Sequence, residues 1–145
     1  MDIETRILIV EDEPADQMLL LHALQKAGHS ERVRIISDGK VAARYLFNES
    51  SHAEELVAIF LDLKIPSMSG IELLEKIRAD ERIGHLPVII MTAYRTRESV
   101  DQCQKLGISC YVEKPVSYLR FTAAIAECFH SKRDTTKLPR LAGVS

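Results

Sequence analysis

Val57-Ala58-Ile59-Phe60-Leu61 is an unbroken apolar run that stops on a carboxylate, Asp62. The run is short, and no polar residue alternates through it to give a solvent face. It therefore reads as a strand covered on both sides. Pro66 and Gly70 follow, and then a helical pattern begins. Taken alone, Asp62 suits a turn as well as it suits chemistry, since Asp is a common turn residue. Ligands of open α/β sheets sit beyond the carboxyl ends of the strands, where Asp62 would lie.

The same grammar recurs along the chain. Arg6 to Val10, Val33 to Ile36, Val88 to Met91 and Ile108 to Val112 are the other apolar runs. Helix-spaced segments separate them. Ala15 to Ala27 carries Leu20, Leu21, Leu24 and Ala27 on one face, with Gly28 as its stop. Pro14 suits a first helical turn. Asp38-Gly39 turns the chain into Lys40 to Phe47, with Ala43, Leu46 and Phe47 on one face, and Asn48 to Glu55 is polar and loop-like. Gly70 to Asp80 presents Ile71, Leu74 and Ile77. Arg95 to Leu106 has a thin apolar face of Val100, Cys103 and Leu106 before Gly107. Ser117 to Phe129 is expected to turn Leu119, Ala123, Ala126 and Phe129 inward. Strand and helix thus alternate five times. That predicts a parallel five-stranded sheet with helices on both faces, joined by right-handed crossovers.

Composition narrows the function. A chain of 145 residues, 46% apolar and 28% charged, suits one domain with one core. A net charge of -2 provides no general basic field for nucleic acid. No apolar run approaches a membrane span, and the polar start MDIETR is not a signal peptide. Cys103, Cys110 and Cys128 lack metal-ligand spacing and suit a reducing cytoplasm, with Cys103 and Cys110 as small core fillers. The histidines His22, His29, His52, His85 and His130 show no ligand spacing and are expected at the surface. From Ser131 to Ser145 the chain is polar and aperiodic, with Lys132, Arg133, Lys137 and Arg140 against Asp134, and is expected to be a mildly basic tail.

Four of the five strands end on a residue capable of chemistry: Glu11-Asp12, Asp62, Thr92 and Lys114. Parallel strands bring all these ends to one edge. Three carboxylates gathered there repel one another unless a cation balances them. Mg²⁺, a hard ion that takes oxygen ligands and keeps several waters, is the natural partner. With Lys114 as a second positive charge and Thr92 as a hydroxyl, the set can hold a phosphoryl group, and a carboxylate can attack its phosphorus.

The pieces ILIVEDEP, FLDLKIPSMSG, VIIMTA and CYVEKP, with 30 residues from Asp62 to Thr92 and 22 from Thr92 to Lys114, resemble the receiver domain of two-component response regulators. The resemblance spans about Arg6 to Phe129. It implies a flavodoxin-like receiver fold over residues 1–130, with strand order 2-1-3-4-5 and the tail at 131–145. It implies that Asp62 accepts a phosphoryl group from a phosphohistidine. Glu11, Asp12, Asp62 and the backbone carbonyl of Lys64 would hold Mg²⁺. Thr92 would move to bond the phosphoryl group, Lys114 would pair with it, and Pro115 would be cis. Tyr111 matches the aromatic that swings inward as Thr92 moves; its plain alternative is a half-exposed strand tyrosine.

Lys64 and Tyr94 occupy the positions that tune phosphoryl lifetime in this family. Neither is a general base at neutral pH, so a long-lived phosphoryl group shielded by Tyr94 is expected. The expected protein is a stand-alone cytoplasmic regulator resembling those found beside phytochrome-type kinases. It would not be an enzyme beyond its own phosphorylation and dephosphorylation. A sensor histidine kinase or phosphotransfer protein would be its donor and an unidentified protein its target, with no DNA-binding domain and no membrane. Met18 and Leu21, with Pro115 to Ser117, would face a kinase, although Leu21 also suits the core. Dimer formation is left open by the sequence; the resemblance implies only that a homodimer, where one forms, uses the fourth helix, fifth strand and fifth helix.

Three other readings compete. A phosphatase with an Asp nucleophile needs an acid where Lys64 stands. A nucleotide-binding fold needs a glycine-rich loop where Glu11-Asp12-Glu13 stands. A phosphorylation-independent receiver, acting as a structural module, is the remaining alternative.

Overall fold

Ile7, Leu8, Ile9 and Val10 are all inaccessible to solvent, as are Ala58 to Leu61 and Val88 to Met91. Such strands need cover on both faces, and the protein supplies it. The structure is a computed structural model that describes residues 5–29, 32–93, 96–114 and 118–133. Its strands are β1 (Thr5–Val10), β2 (Arg32–Ile36), β3 (Ala58–Asp62), β4 (Val88–Thr92) and β5 (Cys110–Glu113). The helices are α1 (Pro14–Lys26), α2 (Gly39–Leu46), α3 (Gly70–Ala79), α4 (Arg97–Leu106) and α5 (Tyr118–Arg133). The sheet is parallel throughout, in the order β2-β1-β3-β4-β5.

Successive strand residues point to opposite faces, so the sheet divides the core in two. Ile7, Ile9, Phe60, Ile89, Met91 and Val112 pack with Leu20, Leu24, Phe121 and Ile125 of α1 and α5. Leu8, Val10, Ile59, Leu61, Ile90 and Tyr111 pack with Leu46, Leu74, Ile77 and Cys103 of α2, α3 and α4. The edge strand β2 is only partly covered, and Arg34 there lies over the Tyr45 ring. Cys103 and Cys110 are buried fillers, and burial pushes the Cys103 thiol up to about 11. No helix among the described residues is long and apolar enough to cross a membrane.

Two expectations change. Along α5 the inward residues are Phe121, Ala124 and Ile125, whereas Leu119 is 76% exposed and Ala123 and Ala126 face solvent. Both sets have helical spacing, and burying a phenylalanine and an isoleucine removes far more apolar area from water than burying alanines. The Phe129 side chain lies outside the described residues. The helix also continues past Phe129 to Arg133. The stretch expected as a plain loop before β3 instead makes two 3-10 turns, Glu49–Ser51 and Ala53–Glu55, and Ala53 is fully buried.

Candidate phosphoryl-acceptor site

Register brings the strand ends together. Val10 pairs with Leu61, Asp62 with Met91 and Thr92 with Glu113, so Glu11, Asp62, Thr92 and Lys114 converge on one edge. Glu11, Asp62 and Thr92 are buried. Asp12, beside them, is exposed.

The Lys114 ammonium is the hub. Its Nζ lies 2.6 Å from Glu11 Oε1, 2.8 Å from Asp62 Oδ2 and 2.9 Å from Asp16 Oδ2. The other oxygen of each buried acid takes a backbone donor. Asp62 Oδ1 accepts from the Lys64 N–H at 3.0 Å, and Glu11 Oε2 accepts from the Glu13 N–H at 2.9 Å. Burial drives the Glu11 carboxyl up, to about 7, against the pull of Lys114 and the Glu13 N–H. For Lys114, burial opposes the charge, but the hydrogen bonds to Asp62, Glu11 and Asp16 outweigh it and hold the ammonium above its ordinary value.

Glu11, Asp12 and Asp62 each present a carboxylate oxygen, and these oxygens lie within 4.8 Å of one another. Such an all-oxygen set fits a hard divalent ion such as Mg²⁺. The two buried members sit against the core, and exposed Asp12 leaves a side open for the waters such an ion retains.

The loop from Leu63 to Ser69 is held at both ends. Gly70 donates to the Leu63 carbonyl at 2.8 Å, and a side chain at Gly70 would meet Leu63 Cα at 2.5 Å and the Asp62 carbonyl at 2.6 Å. Only glycine lets α3 start this close to the acid. On the other side, Gly39 donates to the Pro66 carbonyl, and a Cβ there would strike the Met68 carbonyl at 2.5 Å. Asp38 Oδ1 caps α2 through the Val41 N–H and accepts from the Ser67 hydroxyl at 2.7 Å. These bonds, Ser67 first, hold the Asp38 carboxyl below its usual value. Ser67 adopts a left-handed backbone, φ 68°.

Thr92 faces a cavity of about 330 Å³ with Lys64, Ser69, Thr96 and Ser99 on its wall. Thr96 caps α4 through the Ser99 N–H. Ser99 Oγ lies 3.0 Å from the Tyr111 hydroxyl, and Tyr111 is 1% exposed rather than half-exposed. Lys64 is exposed, as is Met18, whereas Leu21 is half-buried at the core. Tyr94 and Pro115 to Ser117 lie outside the described residues.

The sequence alone misses Asp16, Ser67 and Ser99. An acid in a first helical turn reads as a partner for the helix dipole, and only the packing of α1 beside the end of β5 brings Asp16 to Lys114. Asp38 before Gly39 is visible as a cap signal, but nothing in the sequence signals the left-handed Ser67 it holds.

Comparison with known proteins matches this arrangement. Residues 7–126 match the response regulator receiver domain. Chemotaxis protein CheY of Pseudomonas aeruginosa is 32% identical over 120 residues, covering 83% of this chain and 88% of the relative. Among solved structures, the Mn(2+)-bound form of response regulator Rcp1 superposes with a TM-score of 0.76 at 26% identity, covering 94% of this chain and 99% of the other. The bacteriophytochrome response regulator RtBRR superposes with a TM-score of 0.73 at 34% identity, covering 85% and 76%. A sheet in this order, an acid cluster answered by one lysine at its edge and a match over residues 7–126 lead to one conclusion: the chain belongs to the response regulator receiver domain family.

Proposed function

We propose that this receiver takes a phosphoryl group from the phosphohistidine of a sensor histidine kinase or phosphotransfer protein onto Asp62. It then signals to a partner protein by a change of conformation. A carboxylate oxygen of Asp62 attacks phosphorus, the P–N bond breaks, and its electron pair returns to the imidazole. Glu11, Asp12 and Asp62, with the Lys64 backbone carbonyl, would hold Mg²⁺. When bound, the ion neutralises phosphoryl oxygens whose charge the acids would otherwise repel. Lys114 contributes the second positive charge, and Thr92 the hydroxyl for a phosphoryl oxygen. Contacts made only with the phosphoryl group bias α4 and Tyr111 between two arrangements.

The observation that carries this reading is the buried Asp62 carboxylate, bonded at 2.8 Å to Lys114, within reach of the oxygens of Glu11 and Asp12. A structural pair would need one acid for one lysine, whereas here the acids exceed the cation. The bacteriophytochrome regulator among the solved neighbours supports a sensor kinase as donor.

The test is intact mass after incubation with Mg²⁺ and a small-molecule phosphodonor. Wild type gains one phosphoryl mass, and Asp62→Asn gains none. Absence of an adduct from every donor tried would leave the phosphorylation-independent module as the better account.

A further inference from the structure

Among the three carboxylates on Lys114, Asp16 is the one that the metal set does not include. The oxygens that converge for an ion are those of Glu11, Asp12 and Asp62. Two of these residues, Glu11 and Asp62, are also Lys114 partners, at 2.6 and 2.8 Å. A divalent ion at that set competes with the ammonium for both. Asp16, at 2.9 Å, remains. It comes from the first turn of α1 rather than from a strand end, and its side chain is 22% exposed against 1% for Glu11.

A lysine head sits on a flexible four-carbon stem and turns toward water when nothing holds it. Lys114 follows the last residue of β5, at the rim of the sheet. We propose that Asp16 is a positioning residue for Lys114: it tethers the ammonium beside Asp62 when the metal has claimed Glu11 and Asp62, so that the charge is in place for the incoming phosphoryl oxygens. This rests on the receiver function proposed above.

The tether makes a prediction opposite in sign to plain electrostatics. Removing a carboxylate near an anion site should strengthen anion binding through space. Removing a tether should weaken it, because the cation is no longer pre-positioned.

The probe is fluoroberyllate, a tetrahedral anionic mimic of the phosphoryl group, titrated calorimetrically into the full chain at saturating Mg²⁺. Asp16→Asn is expected to bind it about tenfold more weakly, the scale of one charge-assisted hydrogen bond. Asp16→Glu is expected to recover part of the loss. In a Lys114→Met background, Asp16→Asn is expected to change nothing or to tighten binding slightly, because the group it acts through is gone. Unchanged or tighter binding by Asp16→Asn alone overturns the tether. So does an equal loss in the Lys114→Met background, which would mean that Asp16 acts on the fold rather than on the lysine. If wild type binds no fluoroberyllate with Mg²⁺ present, the receiver function itself fails, and that result is distinct from a failure of the tether.

Discussion

At the edge where the strands begin, one cation is answered by neutral groups; at the edge where they end, one cation is answered by three anions. Arg78, on the last turn of α3, donates Nε to the Leu106 and Gly107 carbonyls, Nη1 to those of Gly84 and Leu86, and Nη2 again to Gly107. It ties the end of α4 to the segment entering β4. Lys114, at the opposite edge, faces Glu11, Asp62 and Asp16. The first arrangement satisfies backbone carbonyls with a planar fork of donors, and the guanidinium charge rests on carbonyl dipoles while burial lowers its pKa. The second leaves excess negative charge in a partly buried place. That excess is costly in an isolated protein, and in the proposed function a divalent ion would balance it before an anionic phosphoryl group arrives.

Removing the guanidinium should have the largest effect on the fold. Arg78→Ala leaves the carbonyls of Leu106, Gly107, Gly84 and Leu86 without these donors, and a stability loss of about 3 kcal/mol is expected. A shift in the urea midpoint with an unchanged slope checks it. Mg²⁺ affinity should stay within about twofold, because separated sites behave independently. A large loss of metal affinity would break the contrast and make the two edges one coupled unit.

A somewhat smaller effect belongs to Glu11. Its carboxyl is pushed up to about 7, chiefly by burial, from 4.5. The metal-free folded state therefore binds more protons than the unfolded chain between those values, and its stability falls as pH rises through that window. A loss of about 2 kcal/mol between pH 5 and 7.5 is expected in chelator, and Glu11→Gln should flatten it. Asp38, whose carboxyl lies below its usual value, acts in the other direction and only at lower pH, as its stabilisation is lost on acidification. A wild-type profile as flat as that of Glu11→Gln would show that Lys114 compensates Glu11 fully in the absence of metal.

The same contrast explains what could be read from the chain. Strands buried on both faces appear as apolar runs, so β3 and β4 and the residues at their ends were legible, and with them Asp62 and Thr92. Glu11 and Lys114 followed from the rule that parallel strands end on one edge. Arg78 was invisible because its partners are backbone carbonyls, which have no residue signature. Asp16 was invisible as a partner of Lys114 because 98 residues separate the two, and only packing brings them together. The inward face of α5 was misread because Leu119-Ala123-Ala126 and Phe121-Ala124-Ile125 are both helix-spaced. Periodicity alone does not weigh the area that each set buries.

The two-edge contrast also runs along α4. Its last turn hangs on Arg78 through Leu106 and Gly107, whereas its first turn meets Tyr111 through the Ser99 hydroxyl at 3.0 Å. The Ser99 hydroxyl is engaged three ways, since it also donates to the Thr96 carbonyl at 3.1 Å and accepts from the Thr96 hydroxyl at 3.0 Å. Ser99→Ala removes a partner of the buried phenol and is expected to cost about 1 kcal/mol, the least of the three. The place of the loss matters more than its size. Amide hydrogen exchange should quicken over the first turn of α4, Arg97 to Val100, and stay unchanged near Leu106, where Arg78 still holds the chain. Uniform acceleration along the helix would mean that α4 opens as one body, and that the Arg78 end is no firmer than the end beside Thr92.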